Sequence, residues 1–124
     1  MFKKNTEFFK GLVKVMWENS SHYAFESRDP LDIFYYKGHC KAYTNILDTY
    51  IKDFRTLVEL KEETEKHAEF IYEGNNEKDK MFVKGMIDAY ETAMITYSNL
   101  FGFEGFEEQK NILKVFERKM TGNV

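Results

Sequence analysis

The stretch YYKGHCKAYTNILDTY, residues 35–50, returns 47 residues later as FVKGMIDAYETAMITY, residues 82–97. Lys37 lies over Lys84, Gly38 over Gly85, Ala42 over Ala89, Tyr43 over Tyr90, Thr49 over Thr96 and Tyr50 over Tyr97. The match extends to Phe54 over Phe101, and upstream to Glu26 over Glu73 and Asp32 over Asp79. Tyr36, Cys40, Tyr43, Leu47, Tyr50, Phe54 and Leu57 step alternately by four and three, as do Val83, Ile87, Tyr90, Met94, Tyr97 and Phe101. That spacing keeps one seam of a helix facing a partner. It predicts an all-α fold, a bundle of about four helices with one long central helix. An internal helical repeat spans about 22–54 and 69–101 within a single domain, residues 1–124.

Working outward, the first helix is expected over Phe2 to Asn19, followed by a polar stretch from Ser20 to Asp29. Asp29-Pro30-Leu31-Asp32 reads as N-cap, N1 proline and first-turn acid. The second helix should start there and run to about Tyr72, with 67–72 the alternative place for a short extended piece. Gly74-Asn75-Asn76 is a stop, and a third helix follows over Glu77 to Phe101. Gly102 and Gly105 frame a turn before a fourth helix over Phe106 to Met120. Phe8-Phe9-Lys10-Gly11 opens like a third copy of the motif, and Tyr23 follows Gly11 by the same interval that separates Tyr50 from Gly38. Its offset from the next copy is 27 rather than 47, so the array is irregular and is not a solenoid.

Composition fits this reading. The chain has 124 residues, 43% hydrophobic and 31% charged, which suits one folded domain. A single proline favours long helices. The net charge of -3 argues against a general polyanion binder, so nucleic acid is not the expected partner. The lone Cys40 excludes an internal disulfide and suits a reducing, cytoplasmic setting. No apolar run is long enough for a membrane span, and Lys10 and Lys14 interrupt any signal-peptide core.

Two features of the motif need a physical reason. A glycine inside a helix costs about 1 kcal/mol against alanine. Gly38 with Ala42, and Gly85 with Ala89, each make a smooth strip, which suits a tight helix crossing or the floor of a ligand site. The seam tyrosines Tyr36, Tyr43, Tyr50, Tyr90 and Tyr97 need partners for their hydroxyls if buried. They fit a core, an interface with another chain, or a pocket wall. Lys37 and Lys84 beside these rings are either solvated stems or a pair of cations suited to an anionic small ligand.

Catalytic signatures are lacking. His22, His39 and His67 have no metal-ligand spacing, and no Glu-x-x-His marks a di-iron bundle. His39 and Cys40 are adjacent on a helix and diverge by about 100°, so they do not form a nucleophile–base pair. The acidic run from Glu59 to Asp79 reads as a solvated face with pairs such as Glu62–Lys66.

In style the chain resembles small early proteins of phages and mobile elements, on residues 35–50 and 82–97. Those proteins are short, rich in Lys, Glu, Tyr and Phe, and poor in proline. The resemblance implies action by binding, such as blocking a host nuclease or polymerase, or sequestering a defence-signalling nucleotide. The expectation is therefore a non-enzymatic interaction module with no cofactor and no metal, self-associating as a homodimer or higher. Its binding or interface residues are expected among Tyr36, Lys37, Gly38, Tyr43, Tyr50, Lys84, Gly85, Tyr90 and Tyr97. A small-ligand binder and a nucleic-acid regulator are the alternatives.

Overall fold

The computed structural model describes residues 2–74 and 76–101, and these form four helices: α1 Phe2–Glu26, α2 Pro30–Asp48, α3 Phe54–Glu73 and α4 Glu77–Phe101. The helix expected over Phe106 to Met120 lies outside the described residues. The all-α bundle is as the periodicity indicated, but the long central helix is not a single element. It divides at residues 49–53 into α2 and α3. Asp53 caps α3 by accepting from the Thr56 backbone N–H at 3.1 Å, and Ile51 of the connection is buried in the core. Lys10 completes the break from outside, its Nζ donating to the carbonyls of Leu47 at 3.1 Å and Thr49 at 2.9 Å. These are the C-terminal acceptors that an uninterrupted helix would have used itself.

The helix α1 is longer than its polar C-terminal third suggested. Ser20 to Glu26 continues the helix, because Ser20 is buried against α2 and no proline or glycine intervenes before Pro30. Residues 67–72 are helical too, and Gly74 ends α3. At the other boundaries the sequence signals operate as written. Asp29 accepts from the Leu31 N–H at 2.9 Å with Pro30 at the first helical position, and Asn76 accepts from Lys78 N–H and Asp79 N–H at the start of α4.

The chain folds as two antiparallel hairpins, α1–α2 and α3–α4. The outer helices end at Glu26 and Glu73, and the inner helices start at Pro30 and Glu77, again 47 residues apart. The inner helices α2 and α4 pack on each other along the centre, while α1 covers α2 and α3 covers α4. Here the glycines find their use. A methyl group at Gly38 would overlap the Phe82 carbonyl oxygen, and one at Gly85 would overlap the Tyr35 carbonyl oxygen. Each glycine thus meets the backbone three positions before its counterpart, so the two contacts are reciprocal. Tyr35 pairs with Asp88 and, further along both helices, Asn45 with Tyr90, so α2 and α4 run in the same direction. Ala42 and Ala89 are fully buried one turn further on. Around this crossing pack Phe9 and Val13 of α1, Tyr43 and Ile46 of α2, Phe54 and Leu57 of α3, and Tyr90, Met94 and Tyr97 of α4.

Because backbone atoms oppose both glycines, no side-chain movement relieves an added methyl. Gly38→Ala and Gly85→Ala are each expected to lower unfolding free energy by at least about 2 kcal/mol, despite the gain in helix propensity. Urea titration followed by far-ultraviolet circular dichroism measures this. Unchanged or raised stability in either variant contradicts the close crossing.

Candidate functional site

The nine residues singled out by the sequence separate into two groups. Gly38, Tyr43, Gly85, Tyr90 and Tyr97 are buried in the crossing and the core. Lys37, Tyr50 and Lys84 face solvent, and Tyr36 lies half-buried. The expected seam residue Tyr50 is 81% exposed because the helix has ended before it. Lys37 lies over the Phe34 ring at 5.2 Å, and Lys78 approaches the same ring at 5.6 Å. The glycine strips are filled by the opposing helix, so they offer no ligand floor.

The buried tyrosines find their partners inside the chain. Asn45 Nδ2 donates to the Tyr90 hydroxyl at 2.9 Å, and the Tyr43 hydroxyl shares a hydrogen bond with the Thr92 side chain. Positions 45 and 92, like 43 and 90, are 47 apart, so this pair of bonds is also reciprocal. Burial pushes the Tyr43 hydroxyl up to about 12, although the Thr92 bond opposes the shift. Burial, helped by Asp53, also raises Tyr97. Tyr97 packs edge-on to Phe9 at 5.3 Å and against Phe101 at 4.5 Å.

Where the hairpins differ, a polar cluster forms between α1, α2 and α4. The Tyr35 hydroxyl donates to Asp88 Oδ2 at 2.5 Å, and the His39 ring lies 4.6 Å from the Tyr35 ring. His39 Nδ1 shares a hydrogen bond with the Ser20 hydroxyl at 3.3 Å. Its Nε2 is buried with no hydrogen-bond partner among the described residues. Such an atom costs about 1–3 kcal/mol. Burial holds the His39 pKa below its ordinary value, and the nearby Asp88 carboxylate opposes that only in part. The Tyr35 hydroxyl is pushed well above the usual phenol range, first by burial and then by its bond to Asp88. In the second hairpin the positions corresponding to Tyr35, His39 and Ser20 are Phe82, Met86 and His67, and in the first hairpin Lys41 corresponds to Asp88. Disagreement between the two copies at these positions is the sequence signal that marks the cluster.

Comparison with protein-family models, with curated proteins and with solved structures finds no match to this chain. The chemistry of the cluster must be read from its geometry alone. Ser20, His39 and Asp88 are residue types of a hydrolytic triad, but the arrangement does not work as one. A triad places the carboxylate on one imidazole nitrogen and the nucleophile on the other. Here the serine occupies Nδ1, Nε2 has no partner, Asp88 accepts from Tyr35, and Ser20 is buried away from any substrate. Cys40 directs its thiol toward the Trp17 carbonyl at 3.9 Å, and burial raises its pKa, so it is not an activated nucleophile. Among the described residues, no group of three or more His, Cys, Asp or Glu side chains is placed to hold a metal ion. No described helix is long and apolar enough to cross a membrane. The cluster ties α1 to the inner helices.

Its pH dependence follows from the sign of the His39 shift. The native pKa lies below the unfolded value of 6.5, so below pH 6.5 the unfolded chain takes up a proton that the folded chain resists. Stability is present in full above pH 6.5 and falls as the pH drops toward the native pKa, by at most about 1.4 kcal/mol per pH unit from this group. His39→Met introduces the residue found at the equivalent position 86 and is expected to remove that part of the slope. Equal acid slopes for wild type and His39→Met in denaturant titrations contradict this account.

A second test is alkaline. Tyr35, Tyr43 and Tyr97 all have raised native pKa values, so unfolding is expected to become easier once the pH passes 10 and the unfolded phenols ionise. Tyr43→Phe should flatten this fall, as read by the melting temperature between pH 9 and about 11.5.

Proposed function

We propose that this chain is a non-enzymatic protein-interaction module that blocks or recruits a macromolecular partner, and that its contact surface is the outer face of α1. Four of the seven large exposed hydrophobic residues among those described, Phe8, Val15, Tyr23 and Phe25, belong to this helix. The observation that carries the reading is a comparison with the equivalent outer helix, α3. The positions matching Phe8 and Val15 are Arg55 and Glu62, both exposed and charged, whereas Tyr23 matches another exposed aromatic, Phe70. The hairpin therefore tolerates charge at the positions of Phe8 and Val15, and the fold gives no reason for apolar residues at those two. Phe8 and Val15 are seven residues apart and lie on one face, and exposed apolar groups that packing does not require mark an interaction surface.

The seam tyrosines Tyr43, Tyr90 and Tyr97 are buried in the chain's own core, which moves the site outward. Tyr50 is exposed and remains available to a partner. A small anionic ligand is less well supported, because the glycine strips are filled.

A photo-crosslinking residue placed at Val15 or Phe25 is expected to yield covalent protein adducts in cells expressing the chain. The same residue at Glu63, exposed on α3, should not. Adduct formation that is equal from all three sites, or absent from Val15 and Phe25, removes the reading.

A further inference from the structure

The outer face of α1 has a pattern that selects its own partner. Phe8, Gly11 and Val15 are spaced by three and four residues, so they lie on one strip of the helix, and all three are exposed. Phe8 is 59% exposed and Val15 51%. A methyl group at Gly11 would meet nothing within 4 Å among the described residues, so the strip has an open, flat centre. Glu7 and Lys14, also exposed, flank it on one side. The two apolar residues and the two charges are arranged about Gly11 as a pivot, with Glu7 and Phe8 before it and Lys14 and Val15 after it.

We infer that α1 pairs with α1 of a second copy of this chain, antiparallel, crossing at Gly11. This rests on the reading of the α1 face as the contact surface and names its partner. In that arrangement Phe8 of each copy packs on Val15 of the other, and Glu7 of each meets Lys14 of the other. Each of these two interactions is made twice by one two-fold axis. A parallel pairing in register puts the flank carrying Glu7 and Lys14 on opposite sides of the interface in the two copies, so these opposite charges do not meet. Charge therefore selects the antiparallel form. The close approach needed at the pivot is of the kind that Gly38 and Gly85 make inside the chain, where glycine lets backbone meet backbone. Within one chain, Glu7 and Lys14 are seven residues apart, beyond the i,i+3 and i,i+4 spacings at which helical side chains pair. The opposite charges are brought together across the two-fold.

The test is sedimentation equilibrium on the purified full chain, from about 5 to about 500 µM, a range that spans weak and moderate self-association. The wild type is expected to pass from monomer to dimer in that range. Gly11→Leu blocks the pivot, and should remain monomeric with a melting temperature at low concentration no lower than that of the wild type, since leucine is the better helix former. Glu7→Lys alone and Lys14→Glu alone should each weaken dimerisation by about tenfold, since each places like charges together twice. The double variant Glu7→Lys/Lys14→Glu restores opposite charges and should recover wild-type dimerisation. A wild type that stays monomeric throughout overturns the inference, as does a dimer indifferent to Gly11→Leu and to the single reversals. So does a double variant no better than the singles. If the chain is monomeric but Val15 crosslinks to a different protein, the α1 contact face survives and the second copy does not. Crosslinks from Val15 only to residues 102–124 of the same chain also overturn it. Failure of crosslinking and of dimerisation together removes both.

Discussion

The backbone contact at Gly38 and Gly85 is the constraint on which the rest of this molecule depends. With any other residue at either position, a Cβ would strike the opposing carbonyl, and α2 and α4 would have to separate. Their closeness brings Asn45 to the Tyr90 hydroxyl and Thr92 to the Tyr43 hydroxyl, which is how an apolar centre accommodates two phenols. It also leaves room beside the crossing only for small residues, and Ala42, Ala89 and Ala93 occupy it with no exposure. The larger side chains are displaced to the flanks, where Phe9, Ile46, Leu57 and Met94 fill the angles between inner and outer helices. A central pair joined through backbone has little apolar area of its own to bury, so the outer helices must supply the remaining hydrophobic contact.

The crossing was legible in the sequence because glycine within a helix has a cost, and its appearance twice in one register calls for a shared cause. The division between α2 and α3 was less legible. The apolar seam runs with heptad spacing from Tyr36 to Leu57 straight through the break, so periodicity alone favours continuity. What ends α2 is a tertiary interaction, the Lys10 ammonium on the carbonyls of Leu47 and Thr49 from a helix almost forty residues away in the chain. The local part of the signal was present in Asp53 and Thr56, an N-cap three residues ahead of the N–H that donates to it. A capping residue inside an otherwise continuous pattern is a weak local preference, and the long-range lysine decides in its favour. The C-terminal third of α1 shows the opposite case. Its polar residues suggested a loop, yet burial of Ser20 against His39 keeps it helical.

The polar cluster was hidden by the same repetition that revealed the crossing. Matching the two copies draws attention to identical residues, and these turn out to be structural. Tyr35, His39 and Asp88 differ from their counterparts Phe82, Met86 and Lys41, and they assemble only because α1, α2 and α4 converge on one side of the crossing. In a nearly two-fold core, each copy sees the other's backbone, so a polar group introduced in one copy can be satisfied by a change at a non-equivalent position of the other. Tyr35 with Asp88 is such a pair. His39 is the incomplete case: its Nδ1 is satisfied and its Nε2 is not. Helix α1 is thus held by one hydrogen bond to an imidazole that must stay neutral, together with the Lys10 contacts and the packing of Phe9 and Val13.

The two outer helices are therefore fixed by different means and present different surfaces. On α3, Lys61 is only 12% exposed at its side chain and bridges Glu65 of its own helix and Glu91 of α4, closing the second hairpin with charges. Its outer surface carries Glu59, Glu62, Glu63 and Glu69, which are well solvated and resist association with a second acidic face. The Lys61 counterpart on α1 is Lys14, which lies in solvent, and the job of closing the first hairpin passes to Lys10 one turn earlier. Moving the structural lysine by one turn frees position 14 for the outer face. It stands there beside Val15 and is opposite in charge to Glu7. One asymmetry between two otherwise matched hairpins thus lies in which lysine turns inward, and that choice leaves Lys14 on the outer face of α1 with Glu7, Phe8 and Val15, where α3 carries Arg55 and Glu62 at the positions of Phe8 and Val15.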